Sequence, residues 1–149
     1  MNLKRQAARR ALNYVRSGMV LGLGSGSTVG YFVDMLGESL HAGALREIVG
    51  VPTSEATADR ARALHIPLAS LADHPRLDLA VDGADEVDPE LNLIKGLGRA
   101  LLREKIVEVH ADRFLVVVDE SKLVPRLGRG PLPVEIVPFG AEAQVRWLN

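Results

Sequence analysis

Two rhythms of apolar residues alternate along this chain. Leu3, Ala7, Ala11 and Val15 recur every fourth position, with Ala8 and Leu12 beside them, which predicts an amphipathic first helix. Met19 to Leu23 then reads as a buried strand, and Ser27 to Leu40 as a helix ending near Gly37 to Gly43. Glu47 to Val51 predicts a second strand and Ser54 to Leu64 a helix, with Pro52 just before it and Thr53 or Ser54 as cap. Ile66 to Ala69 predicts a short strand and Leu77 to Val81 a stronger one. From Gly98 to His110 the apolar residues fall at 101, 102, 106 and 109, the spacing of one helical face. Phe114 to Val118 is an apolar, valine-rich run that predicts a central strand. The alternation implies an α/β fold, a mostly parallel sheet with helices on both faces.

Beyond Val118 the texture changes. Gly128, Gly130, Pro131, Pro133 and Pro138 mark a loop or hinge, with a short strand expected at Val134 to Val137 and a helix from Ala141 to Leu148. Residues 1–127 are therefore expected to form the main α/β domain, and 128–149 a hinge and the start of a second unit.

Composition narrows the function classes. With 149 residues, 47% hydrophobic and 25% charged, the chain is that of a globular domain, and no stretch is apolar for the roughly 20 residues a membrane helix needs. A net charge of -1 argues against a nucleic-acid partner held by bulk electrostatics. The absence of cysteine excludes disulfides, thiolate metal sites and cysteine nucleophiles, and fits a cytoplasmic setting. The first 33 residues carry Lys4, Arg5, Arg9, Arg10 and Arg16 and no acid. That is the bias of a transit peptide, but Ser17-Gly18 leads straight into a strand, so a helix packed on the domain is the preferred reading.

Four segments could carry chemistry. Gly22-Leu23-Gly24-Ser25-Gly26-Ser27-Thr28 joins a strand to a helix, where free N–H groups and the helix dipole favour an anion. It lacks the lysine of a P-loop, and Ser27 stands where a dinucleotide fingerprint needs glycine, so a single phosphate fits best; a ligand-free tight turn is the plain alternative. Asp82-Gly83-Ala84-Asp85-Glu86 follows a strand, where carboxylates can hold sugar hydroxyls or move protons, although Asp-Gly is also an ordinary turn. Lys95-Gly96-Leu97-Gly98-Arg99 precedes a helix bearing Glu104. Lys95 can face an oxyanion, and Leu101, Leu102 and Ile106 would raise the carboxyl pKa toward that of a general base. The competing reading of Glu104 is a surface acid between Arg103 and Lys105. Asp119-Glu120-Ser121-Lys122 offers a second lysine, either for a phosphate or for solvent. His41, His65, His74 and His110 have no metal-ligand spacing, so no metal is expected.

In order and nearly in spacing, these segments resemble the type A ribose-5-phosphate isomerases. The motifs are Gly24-Ser25-Gly26-Ser27-Thr28, Asp82-Gly83-Ala84-Asp85-Glu86, Lys95-Gly96 through Arg103-Glu104-Lys105, and Ser121-Lys122, and the likeness runs from Lys4 to Pro133-Val134-Glu135-Ile136. The resemblance implies a Rossmann-like fold and a cofactor-free aldose–ketose isomerase of the non-oxidative pentose phosphate branch, cytoplasmic and homodimeric at full length. It further implies Glu104 as general base, Lys95 at the oxyanion, and Asp82 and Asp85 on the sugar hydroxyls and in ring opening. Lys4, Ser25, Gly26, Ser27, Thr28 and Lys122 would hold the phosphate. Gly83, Ala84, Gly96, Leu97 and Gly98 would complete the substrate site. Two departures stand out: Arg99 where relatives carry a small residue, and an expected second α+β domain that is missing or only begun. A sugar-phosphate sensor module without catalysis and a nucleotide-dependent enzyme are the competing functions.

Overall fold

A computed structural model describes residues 2–149. Its centre is a four-stranded parallel sheet built from β1 (Val20–Leu23), β2 (Val49–Pro52), β3 (Leu79–Asp82) and β6 (Phe114–Val116), in the order β2-β1-β3-β6. Leu21 pairs with Gly50 on one side and Leu79 on the other, and Val81 with Leu115. β1 and β3 are the interior strands, which is why their residues are apolar almost without interruption. Chain order diverges from β1 in both directions, to β2 and to β3, so a crevice opens between the carboxyl ends of β1 and β3.

Helices cover both faces. Leu21, Leu23, Leu79 and Val81 point to the face packed by α1 (Leu3–Leu12), α2 (Ser27–His41) and α3 (Glu55–Ala63), around a fully buried Phe32. Burying each such side chain stabilises the fold by about 1.5–3 kcal/mol. α1 starts on an Asn2 side-chain cap and buries Ala8 and Ala11 in this core, so the basic first segment is an integral helix of the domain. α4 (Leu101–Glu108) lies on the other face, where Gly22 makes room for it: a Cβ there would come within 2.8 Å of Val107 Cγ1.

Several expectations change. The strand anticipated at 66–69 makes one bridge, Leu68 to Gly50, flanked by two backbone bonds, so it ends the sheet rather than extending it. The strand anticipated at 134–137 has no ladder partner; Val137 instead exchanges hydrogen bonds with the Gln144 side chain of α5 (Ala141–Leu148). A hairpin, β4 (Glu86–Val87) with β5 (Leu93–Ile94), was not anticipated. The apolar positions 102 and 106 of α4, and 109 at its C-cap, face outward, while Glu104, Val107 and Glu108 are buried. The helix is turned by what lies beneath it: Val107 seats over Gly22, and a buried lysine attracts both acids. α5 has no buried residue. Among the described residues, no helix is long and apolar enough to cross a membrane.

Candidate active site

The crevice holds a cleft of about 250 Å³. Every sequence candidate except Leu97 lines it, joined by Val117 and Val118, which the sequence reading did not include. Leu97 points outward and contributes its backbone N–H, 3.0 Å from Asp85 Oδ2. Arg99 is also exposed and outside this cleft, in the left-handed conformation at φ 61°.

One end of the cleft gathers groups whose chemistry suits an anion. α2 begins at Gly26, which has no side chain to cap the first N–H groups, whereas α1 and α3 are capped by Asn2 and Ser54. Lys4 reaches across from α1 to place Nζ 3.0 Å from Ser27 Oγ, and Lys122 closes the same cleft from the 3-10 turn Glu120–Lys122. Ser25 is different from its neighbours. Its hydroxyl is engaged with Thr53 and Ser54, each at 2.8 Å, and its N–H is turned to Asp82 Oδ1 at 3.1 Å. Ser25 therefore ties the glycine-rich turn to α3 and β3.

The other end is a buried charge cluster. Lys95, just after β5, donates to the Gly83 carbonyl at 2.6 Å. Its Nζ lies 3.3 Å from Asp82 Oδ2, 3.1 Å from Glu104 Oε2 and 3.1 Å from Glu108 Oε1. Burial pulls the ammonium pKa down, but Asp82, Glu104 and Glu108 together outweigh that and hold it above the ordinary lysine value. Desolvation, then the charge of Asp82, pushes Glu104 above the usual carboxylate range against the pull of Lys95. The apolar neighbours Leu102 and Ile106 play no part in this, because they face outward. Asp82, Glu104 and Glu108 are close enough together to suit a cation, and the Lys95 ammonium already stands among them.

Glu108 was not among the sequence candidates, and Glu86 stood in the Asp82–Glu86 segment without a role of its own. The Glu86 carboxylate accepts N–H bonds from Gly128, Arg129 and Gly130, the first of which contributes most to holding its pKa below the usual range. It anchors segment 128–130 beside the hairpin. The signal for Glu108 was its spacing: four residues after Glu104, it shares that side of the helix.

Fold and cleft define a class first: a doubly wound α/β protein with a small-anion cradle beside a buried acid–base group. Comparison with known proteins is specific. The profile of ribose 5-phosphate isomerase A (phosphoriboisomerase A) matches residues 49–149. Ribose-5-phosphate isomerase A of Nitrobacter hamburgensis is 60% identical over 144 residues, covering 97% of this chain and 61% of that protein. A probable chloroplastic ribose-5-phosphate isomerase of Arabidopsis thaliana is 56% identical over 140 residues, covering 93% and 51%. Among solved structures, a D-ribose-5-phosphate isomerase in complex with phospho-erythronic acid superposes with a TM-score of 0.96 at 49% identity, covering 99% of this chain and 66% of that one. Ribose 5-phosphate isomerase from Plasmodium falciparum gives 0.95 at 44% identity, covering 98% and 63%. The chain belongs to the ribose 5-phosphate isomerase A family. It spans about 60% of the length of the bacterial relatives it matches.

Proposed function

We propose that this chain interconverts ribose 5-phosphate and ribulose 5-phosphate by proton transfer through an enediolate. The observation that carries the reading is the Lys95–Glu104 pair, 3.1 Å apart, in a cleft whose opposite end presents Lys4, Ser27 and the uncapped start of α2. One end binds the phosphate dianion, and the other meets carbons 1 and 2 of the open-chain sugar. Glu104 takes the proton from C2. The electron pair forms the C1–C2 double bond and leaves the charge on the carbonyl oxygen, opposite Lys95. Return of the proton to C1 completes the ketose, while the hydroxyl proton passes from O2 to O1. Asp82 and Asp85, at the floor and rim of the cleft, hold the sugar hydroxyls and assist ring opening.

Phospho-erythronic acid, bound by one structural relative, supports this assignment. It joins a phosphate to a carboxylate, and a carboxylate spreads charge over two coplanar oxygens as an enediolate does. A module that only binds sugar phosphates requires the cradle but not a buried lysine against a raised-pKa glutamate. The test is ketose formation from ribose 5-phosphate in deuterium oxide. Ribulose 5-phosphate carrying deuterium at C1 is expected. No ketose at any protein concentration, or ketose free of solvent deuterium after prolonged equilibration, overturns the proposal.

A further inference from the structure

The buried cluster sets three carboxylates, Asp82, Glu104 and Glu108, against one ammonium. Two of their oxygens, Asp82 Oδ2 and Glu108 Oε1, are shut off from solvent and have, among the described residues, no donor beyond the Lys95 ammonium at 3.3 and 3.1 Å. Asp82, Glu104 and Glu108 each place one carboxylate oxygen within 4.8 Å of the others. The ammonium has three N–H donors for four acceptors, Asp82 Oδ2, Glu108 Oε1, Glu104 Oε2 and the Gly83 carbonyl, so one acceptor is left short in a dry site, and a proton on one carboxyl makes up the deficit. Asp82 Oδ1 already accepts the N–H groups of Gly83 at 2.7 Å and Ser25 at 3.1 Å, which suits the ionised form. Glu108 has no such donors apart from Lys95. We infer that Glu108 is a positioning residue that carries a proton in the resting protein and donates it to Asp82.

This deepens the isomerase reading and rests on it for its consequence. Glu108 lies outside the main cleft and does not meet substrate. As a neutral acid it clamps Asp82 from behind and leaves one fewer negative charge around Lys95. The ammonium is then shared by Asp82 and Glu104 alone, and remains directed at the cleft. The groups facing Glu108 are Lys95 after β5, Asp82 at the end of β3, and Glu104 on its own helix; Lys105, also on α4, is exposed. Burial is the first cause, and the Asp82 charge a further one, that raises the Glu108 pKa against Lys95.

The decisive measurement is the carboxyl ¹³C resonance of Glu108 in the full chain labelled at glutamate, assigned by its loss in Glu108→Gln. At neutral pH it is expected at the protonated position; an ionised shift overturns the inference whatever the catalytic activity, which separates its failure from failure of the isomerase reading. Kinetics give a second arm. Glu108→Gln, which keeps a neutral donor toward Asp82, is expected to hold kcat within about threefold, whereas Glu108→Leu loses roughly tenfold in kcat with little change in KM. Equal loss in both variants means that Glu108 acts as an anion, and contradicts the inference.

Discussion

Replacing Gly24 by alanine should disable this protein by displacing Asp82, with every side chain of the site still present. The backbone at Gly24 lies against the carboxylate of Asp82, and an alanine Cβ would stand 2.2 Å from its Cγ and 2.6 Å from its Cβ. Rotating the side chain relieves the Cγ contact, but the Cβ contact requires β3 itself to move. β3 is an interior strand, buried along its whole length, so it has little freedom to do so. Overpacking of this kind costs about 1–3 kcal/mol. Rotation of Asp82 also strains the bonds from Ser25 and Gly83 N–H, and a hydrogen bond to a charged group is worth about 1.5–3 kcal/mol. A combined loss of about 3 kcal/mol is expected. At a urea m-value of about 2 kcal/mol/M the unfolding midpoint falls by roughly 1.5 M. Turnover falls with it, because Asp82 leaves its place 3.3 Å from Lys95 Nζ. A midpoint shift below about 0.3 M with turnover intact would refute the steric argument.

Three further outcomes follow from the same geometry. Lys95→Met leaves three acids buried without their cation, so a loss of about 3 kcal/mol in urea unfolding is expected, largest where the acids are ionised and relieved on acidification. Because burial and Asp82 raise the Glu104 pKa and a general base must be ionised, the acidic limb of kcat/KM should lie above the ordinary carboxylate range, activity falling as pH drops through it; a limb at or below that range in a pH–rate profile would contradict this. Arg99→Gly relieves a left-handed residue whose side chain lies outside the cleft, and should raise stability by about 0.5–1 kcal/mol in denaturant unfolding with kcat unchanged.

The sheet and the glycine-rich turn were legible because their signals are local. An apolar run followed by a glycine-rich turn and an amphipathic segment specifies strand, turn and helix, and the end of β1 followed directly. α4 was different. Its apolar residues at 102, 106 and 109 suggested the buried face, yet tertiary contacts chose the opposite one, with Val107 over Gly22 and both acids around Lys95. Hydrophobic periodicity cannot register a buried lysine thirteen residues upstream of Glu108. The β4–β5 hairpin has strands of two residues, too short for an alternating pattern. Its turn was nonetheless encoded by Asp88, whose carboxylate accepts the N–H groups of Glu90 and Asn92. Arg99 and Leu97 were ambiguous because a turn with positive φ at Gly96 and Arg99 decides which side chains reach the cleft.

The proposed function stands most directly on one comparison, the rate of ketose formation from ribose 5-phosphate by the parental chain and by Glu104→Gln. Glutamine preserves the size of the side chain and its place beside Lys95 but cannot take a proton. A kcat reduced by roughly a thousandfold, with KM little altered, is expected. A Glu104→Gln protein that turns over ribose 5-phosphate at the parental rate would contradict it.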